Sequence, residues 1–323
     1  MRQIAITAHR TAEVIEVPDL TGPLQPNEVR GRTLISLISP GTELNWAFLG
    51  KNEYPVFPGY ASVFAVEEIG SGVRDVPLGA RVLGSVNHRE RQQAPRADVT
   101  LLPEGLAPEK AAFARLAGVS MSTLNTTTAR PPARVLNTGL GPVGNLAAQV
   151  FAAGGYHVTA VDPFEARRES ARKVGLKDVR GSVADGPADL AERVALQVDC
   201  SGHEHAVLDG CRCVRKRGEV VLLGTPWKRR TEIYAAELIH AIFHRYVVLR
   251  SGWEWEVPIH SREFACNSIM ENYAAAMEWL VDGRLCVDGV ASAYAPSRAQ
   301  EVYDGLLAQS LPTPAALFDW GLK

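Results

Sequence analysis

The chain has 323 residues, and at about 150 residues per domain that implies roughly two domains. Hydrophobic residues make up 46% and charged residues 22%, a balance that excludes wholesale disorder. With 34 Lys plus Arg against 36 Asp plus Glu, the formal charge is −2, so neither nucleic acid nor an anionic membrane is an expected partner. The 28 Gly and 20 Pro punctuate too many turns for a simple helical bundle.

Five cysteines, with Cys211 and Cys213 as C-x-C and Cys200, Cys266 and Cys286 alone, make neither a disulfide framework nor a structural zinc site. The start, M-R-Q-I-A-I-T-A-H-R, lacks the apolar run of a secretory signal. The apolar stretches 146–161 and 235–249 are broken by Gly pairs or by His240, His244 and Arg245, so no membrane span is expected. A reducing cytoplasm is the expected location.

Residues 1–118 read as short strands between Gly/Pro turns, among them 2–7, 28–38 and 61–69, which suggests a barrel-like β domain. The character then changes. A strand at 134–137 leads to a glycine loop, an apolar helix over 145–153, a strand at 156–161 and a charged helix over 165–174. Strands are expected again at 197–200 and 219–223, and one helix over 268–281. Alternating strand and helix predicts an α/β fold with a doubly wound parallel sheet. The expected division is 1–118, an inserted dinucleotide-binding domain at 119–250, and a return segment at 251–323.

Gly139-Leu140-Gly141-Pro142-Val143-Gly144 is G-x-G-x-x-G between a strand and an apolar helix. Asp162 closes the next strand 21 residues after Gly141, near the expected spacing of about 20. The first glycine permits the turn, the second lets backbone approach a pyrophosphate, and Gly144 lets helix and strand pack closely. The helix N-terminus then offers N–H groups and a positive dipole end to the phosphates. Asp162 can accept hydrogen bonds from both ribose hydroxyls, which favours NAD over NADP, while Arg167 can cover the adenine. Arg167 and Arg168 keep NADP open.

This order of elements is similar to that of the medium-chain dehydrogenase/reductase superfamily, the zinc-type alcohol dehydrogenase-like proteins. The motifs V-D-C-S-G at 198–202, G-E-V-V-L-L-G at 218–224 and A-L-F-D-W near the end carry the resemblance. It implies a GroES-like catalytic domain and a Rossmann domain with the active site between them. It also implies that Ser120, in A-G-V-S, contacts the nicotinamide, and it makes Ser201 and Gly224 cofactor-binding candidates.

The departures from that pattern concern zinc. Zinc-dependent members carry C-G-x-D where this chain has Ser39-Pro40-Gly41-Thr42-Glu43, and G-H-E where it has Gly59-Tyr60-Ala61. The third ligand position falls near Leu116, and the four-cysteine lobe is missing. A catalytic zinc needs three protein donors, so the resemblance implies a zinc-independent enzyme with no metal ligands. S-P-G-T-E and G-Y-A-S-V look like a zinc-less branch exemplified by bacteriochlorophyllide hydroxyethyl dehydrogenase.

Hydride transfer from a secondary alcohol must be accompanied by loss of its hydroxyl proton, and without zinc a side chain must handle it. Tyr60 or Glu43 is expected to contact the substrate hydroxyl, with Thr42 or Ser39 relaying to solvent. Glu43 has a competing role as a brace of its loop. Trp46 and His88 are further substrate candidates, although a His in N-H-R-E-R is commonly just solvated. Trp253-Glu254-Trp255-Glu256, if extended, puts both indoles on one face and both carboxylates on the other, as a polyol or polycyclic binder or as a dimer contact. His203/His205, at i, i+2 on an expected extended loop, and His240/His244, at i, i+4 on one helix face, have metal-compatible spacings without a third ligand. Arg212, Arg215, Lys216 and Arg217 read as surface before a strand, while Lys228, Arg229 and Arg230 could attract an anionic substrate.

The expected function is NAD(P)-dependent interconversion of a secondary alcohol (polyol, sugar-like or polycyclic) and its ketone, by a homodimer. Reduction of an activated C=C bond, as by an enoyl or quinone reductase, and noncatalytic dinucleotide binding are the alternatives.

Overall fold

The computed structural model describes residues 1–185, 190–265 and 267–322. Cys266 lies outside the described residues. Two compact units emerge: Met1–Arg115 with Tyr273–Asp282 and Val287–Lys323, and Leu116–Asn272 with Gly283–Cys286.

The first unit begins with an antiparallel hairpin, β1 (Arg2–Ala8) and β2 (Thr11–Glu16). The ten-residue β3 (Glu28–Leu37) pairs with β4 (Ser62–Ile69), and β4 pairs with β5 (Arg81–Gly84). β6 (Arg91–Pro95) pairs with β3, and β7 (Val99–Leu101) with β5. β3 leads into a helical turn at Pro40–Thr42 and a π-helical segment at Glu43–Phe48. The segment buries Leu44, Ala47 and Phe48 in a cluster with Ile4, Ile6, Tyr303 and Phe318. One carboxylate, that of Glu43, goes in with them.

The second unit carries β8 (Arg134–Thr138), β9 (His157–Val161), β10 (Asp178–Arg180), β11 (Val194–Asp199), β12 (Val214–Leu222) and β13 (Val248–Ser251). They form one parallel sheet in the order β10-β9-β8-β11-β12-β13, the doubly wound arrangement. Helices Pro142–Ala153, Glu165–Lys173, Glu204–Cys213 and Ala235–Arg245 alternate with the strands. All six residues of β11 are buried, as a central strand covered on both faces requires. From Gly144 to Phe151 the first of those helices is also buried throughout.

The chain then returns through the helix Ile269–Val281. β14 (Ala291–Tyr294) runs parallel to β15 (Ala315–Asp319), and β15 pairs antiparallel with β3, completing a seven-stranded sheet. The helix Ala299–Ala308 lies between them in sequence. No helix among the described residues is long and apolar enough to cross a membrane.

Three local expectations need correction. Residues 253–257 are not extended: a 3-10 turn at Glu254–Glu256 follows Trp253, so the alternation of faces is lost. Glu254 is buried, Glu256 pairs with Arg250 at 3.0 Å, and Trp253 and Trp255 stay exposed. The basic run does not precede its strand, because β12 starts at Val214 and carries Arg215, Lys216 and Arg217 as exposed residues. His203 and His205 do not share an extended loop, since His203 caps the helix Glu204–Cys213 and His205 is inside it.

Candidate active site

In the second unit, the turn from β8 into the helix Pro142–Ala153 is set by two glycines. Gly139 has φ +86, and a Cβ there would lie 2.8 Å from Ser201 N. A Cβ on Gly144 would lie 1.8 Å from the carbonyl oxygen of Gly139, so helix and turn approach as closely as backbone allows. Gly141 differs. A Cβ there would meet nothing within 4 Å, although Gly141 is the helix N-cap and no side chain caps the helix. Uncapped N–H groups beside open space fit a pyrophosphate.

Asp162 follows β9 and is buried. Its Oδ2 accepts the Leu140 N–H at 2.8 Å and its Oδ1 accepts the Phe164 N–H at 2.9 Å. The carboxylate therefore ties the glycine loop to the next connection. Arg167 lies 3.4 Å from Asp162 Oδ2 and 5.0 Å from the Phe164 ring centroid. Arg168 instead donates to the Asp162 and Pro163 carbonyls, both at 2.7 Å. The residues present fit a dinucleotide, with Gly139 to Gly144 holding its phosphates and Asp162 its ribose.

The end of β11 is organised by Asp199, which the sequence reading missed. Its carboxylate accepts hydrogen bonds from Thr138 Oγ1 at 2.8 Å, Ser201 Oγ at 2.6 Å and the Gly202 N–H at 3.0 Å. Burial raises the Asp199 carboxyl above its ordinary value against these bonds. The Ser201 hydroxyl is thus engaged by protein. Gly224 packs so tightly on this turn that a Cβ would lie 2.6 Å from the Cys200 carbonyl carbon. Ser120 is fully buried in the helix Ala114–Thr126. Cys200, Cys211, Cys213 and Cys286 are free thiols, and burial pushes Cys211 up to about 11.

In the first unit, Ser39, Thr42 and Tyr60 come together: both hydroxyl side chains stand close enough to the Tyr60 phenol to favour its anionic form. Burial raises that phenol above its ordinary value, opposed by the Arg115 charge and by the two hydroxyls, while the Glu43 charge raises it further. Arg115 is itself buried, with its guanidinium carbon 4.7 Å from the Tyr60 ring centroid and 5.4 Å from that of Tyr273. Nothing in the sequence around Arg115 signals this.

Glu43 and His88 depart from expectation, because both are completely buried. His88 Nε2 lies 2.9 Å from Glu43 Oε2, and the Tyr303 hydroxyl donates to the same oxygen at 2.6 Å. Glu43 Oε1 accepts the Ser39 N–H at 2.8 Å. With both oxygens engaged, Glu43 braces the loop and is not poised for a substrate hydroxyl. His88 is its partner, not a solvated loop residue. Trp46, on the π-helical segment, is 42% exposed. His240 and His244 share one exposed helix face, their rings tilted at 47° with centroids 4.2 Å apart.

Zinc does not fit this donor set. The implied ligand positions hold the Ser39–Glu43 turn, Tyr60 and Leu116, and Leu116 is a buried aliphatic. The one carboxylate among them already serves Ser39, His88 and Tyr303. Among the described residues, no three His, Cys, Asp or Glu side chains group as a metal site would require.

A doubly wound parallel sheet with this glycine turn, on a chain that also carries a β-rich unit, is the architecture of a nucleotide-dependent dehydrogenase. Residues 142–253 match the family model described as zinc-binding dehydrogenase. The chain is 28% identical over 252 residues to an alcohol dehydrogenase of Geobacillus stearothermophilus, covering 63% of this chain and 75% of that one. In fold it resembles galactitol-1-phosphate dehydrogenase from Escherichia coli, with TM-score 0.81, 18% identity and coverage of 99% and 100%. It also resembles the Escherichia coli quinone oxidoreductase solved with NADPH, with TM-score 0.79, 17% identity and coverage of 99% and 100%. These likenesses, in the 142–253 match, in the relative and in the fold, support the medium-chain dehydrogenase/reductase superfamily with its zinc-type alcohol dehydrogenase-like members as what this chain resembles.

Proposed function

We propose that this chain is a zinc-independent NAD(P)-dependent oxidoreductase that interconverts a secondary alcohol and its ketone, with NAD the preferred cofactor. The family-model match over residues 142–253 and the alcohol dehydrogenase relative support a dehydrogenase acting on CH–OH donors. The observation that carries the finer reading is the Tyr60 phenol, held by Ser39 and Thr42 where an imidazole ligand would otherwise stand.

The bound nicotinamide supplies or accepts the hydride. Tyr60 handles the proton. Because burial holds the phenol neutral through ordinary pH, its O–H donates to a carbonyl oxygen as negative charge develops there. Ser39 and Thr42 then return a proton to Tyr60, and in the oxidative direction the path runs backwards. Sign follows from the raised value: reductive activity persists through neutral pH and falls only as pH rises through the elevated Tyr60 value.

Tyr60→Phe is expected to lower kcat by about a hundredfold or more while leaving cofactor affinity unchanged. Wild-type turnover in that variant would remove the reading. The same phenol could protonate the oxygen of an enolate, so reduction of an activated C=C bond is the second reading, favoured by the likeness to quinone oxidoreductase. Secondary alcohols, polyols, sugars and enones offered with NAD and NADP separate the two, and cofactor binding without turnover would mark a noncatalytic protein.

We also place the enzyme in the cytoplasm as a homodimer. β13 ends its sheet with one edge open, beside exposed Val248, Tyr246, Phe243 and Ile239. An open edge flanked by apolar side chains is self-complementary about a two-fold axis. A Val248→Lys variant sedimenting as the same species as wild type would argue against this contact.

A further inference from the structure

A buried guanidinium lies against the ring of the proposed proton donor. Arg115 is 6% exposed, and its guanidinium carbon sits 4.7 Å from the Tyr60 centroid and 5.4 Å from the Tyr273 centroid. Cation–π attraction strengthens where, as here, the cation is desolvated. A planar guanidinium can engage two rings at once, which an ammonium cannot do equally well. We propose that Arg115 is a positioning residue for Tyr60, clamping its ring and supplying a fixed positive charge beside it. The inference rests on the reading of Tyr60 as the proton-handling group.

The charges facing Tyr60 have opposite signs. Arg115 favours the anionic phenolate, Glu43 disfavours it, and Ser39 and Thr42 favour it as hydrogen-bond partners. Glu43 is turned toward His88 and Tyr303 through Oε2 and toward the Ser39 N–H through Oε1. Arg115 instead lies over the ring itself. As Tyr60 gives up its proton, the developing phenolate faces a cation already in place, so little reorganisation is needed. Bonds and charges balance simply: the phenol O–H breaks, the substrate oxygen gains the proton, and the phenolate is reprotonated through Ser39 or Thr42.

The test reads the phenol directly. Tyrosine labelled at the ring carbon bearing oxygen is incorporated, the Tyr60 resonance is assigned with Tyr60→Phe, and pH is titrated by NMR. Arg115→Met is expected to move the Tyr60 titration upward by about one unit or more, and Arg115→Lys to restore part of the shift. Should Arg115→Met fail to fold, Arg115→Gln gives the same comparison, and folding is checked by circular dichroism. A Tyr60 titration unchanged or lowered in the neutral variant overturns the role of Arg115. Should both neutral variants fail to fold, Arg115→Lys decides: a Tyr60 titration above wild type is expected, and one equal to wild type overturns the clamp, since a cation of any shape would then serve. No turnover enters this readout. Wild-type rates in Tyr60→Phe would instead strike the reading of Tyr60, whatever the titration shows.

Discussion

Glu43 and His88 face each other at 2.9 Å with neither side chain touching solvent. Such a pair is costly to bury unless its remaining polar atoms are met; Tyr303 and the Ser39 N–H meet the carboxylate's, while His88 Nδ1 stays buried without a hydrogen-bond partner among the described residues. The consequence is local rigidity: Ser39, whose N–H is held by Glu43, is also the residue whose hydroxyl reaches Tyr60. On the reading proposed for Tyr60, proton handling and loop bracing are divided between two neighbouring groups, the phenol and the carboxylate.

Glu43→Ala removes the acceptor and orphans three donors, so it is expected to cost about 3 kcal/mol or more of stability. Tyr303→Phe keeps the ring stacked on Phe48, 5.3 Å between centroids, and removes a single hydroxyl. Its expected cost is about 1 kcal/mol. Urea unfolding of the two variants measures the gap, and equal costs would mean that the carboxylate is not the hub of this network.

The glycine loop predicts a sharp split between two substitutions. Gly144→Ala forces a Cβ to within 1.8 Å of the Gly139 carbonyl oxygen and should destabilise the unit severely. Gly141→Ala meets no protein atom, so thermal stability should stay near wild type. Its methyl group occupies the space proposed for the pyrophosphate, and dinucleotide affinity should fall by about tenfold or more, roughly 1.4 kcal/mol. Calorimetric titration with NAD reads the difference directly. An affinity left unchanged in Gly141→Ala would put the phosphates elsewhere.

Cofactor choice turns on Asp162. A carboxylate at the ribose repels a 2′-phosphate, so kcat/KM is expected to favour NAD in the wild type. Asp162→Ser should narrow that ratio, with Arg167 then available to the phosphate. Because Asp162 Oδ2 also holds the Leu140 N–H, the variant should lose some NAD affinity as well as specificity. Equal use of both cofactors by the wild type would contradict the assignment.

The sheet and its nucleotide loop were legible because their signals are local. A strand, a glycine turn and an apolar helix are contiguous, and Asp162 lies one strand further on. The Tyr60 cluster was legible in part, since Ser39, Thr42 and Tyr60 occupy positions that a family pattern marks. Tyr303 was not, because it reaches Glu43 across 260 positions of sequence. Arg115 was not either, since a lone arginine before Leu116 has no motif and its place is fixed by packing against two rings. Trp253 to Glu256 misled for a different reason: alternation is a strand signal only when the backbone is extended, and here the chain turns.

A last test concerns the second unit's stability at low pH. Glu219, on β12, accepts hydrogen bonds from Thr127 Oγ1 at 3.1 Å and the Thr128 N–H at 2.7 Å, with Arg250 Nε at 3.4 Å. Burial pushes its carboxyl up, but these bonds and the Arg250 charge outweigh it and hold Glu219 below its ordinary value. A depressed native value means that the unfolded chain binds the proton more tightly. The stabilisation is therefore present above the ordinary glutamate value, about 4.3, and is lost as pH falls through the depressed one. Glu219→Gln should be less stable than wild type at pH 7, and the difference should shrink as the pH is taken down through the acid range. Urea midpoints for both proteins across that range check it. A difference that stays constant with pH would show that Glu219 acts by shape and neutral hydrogen bonding rather than by charge.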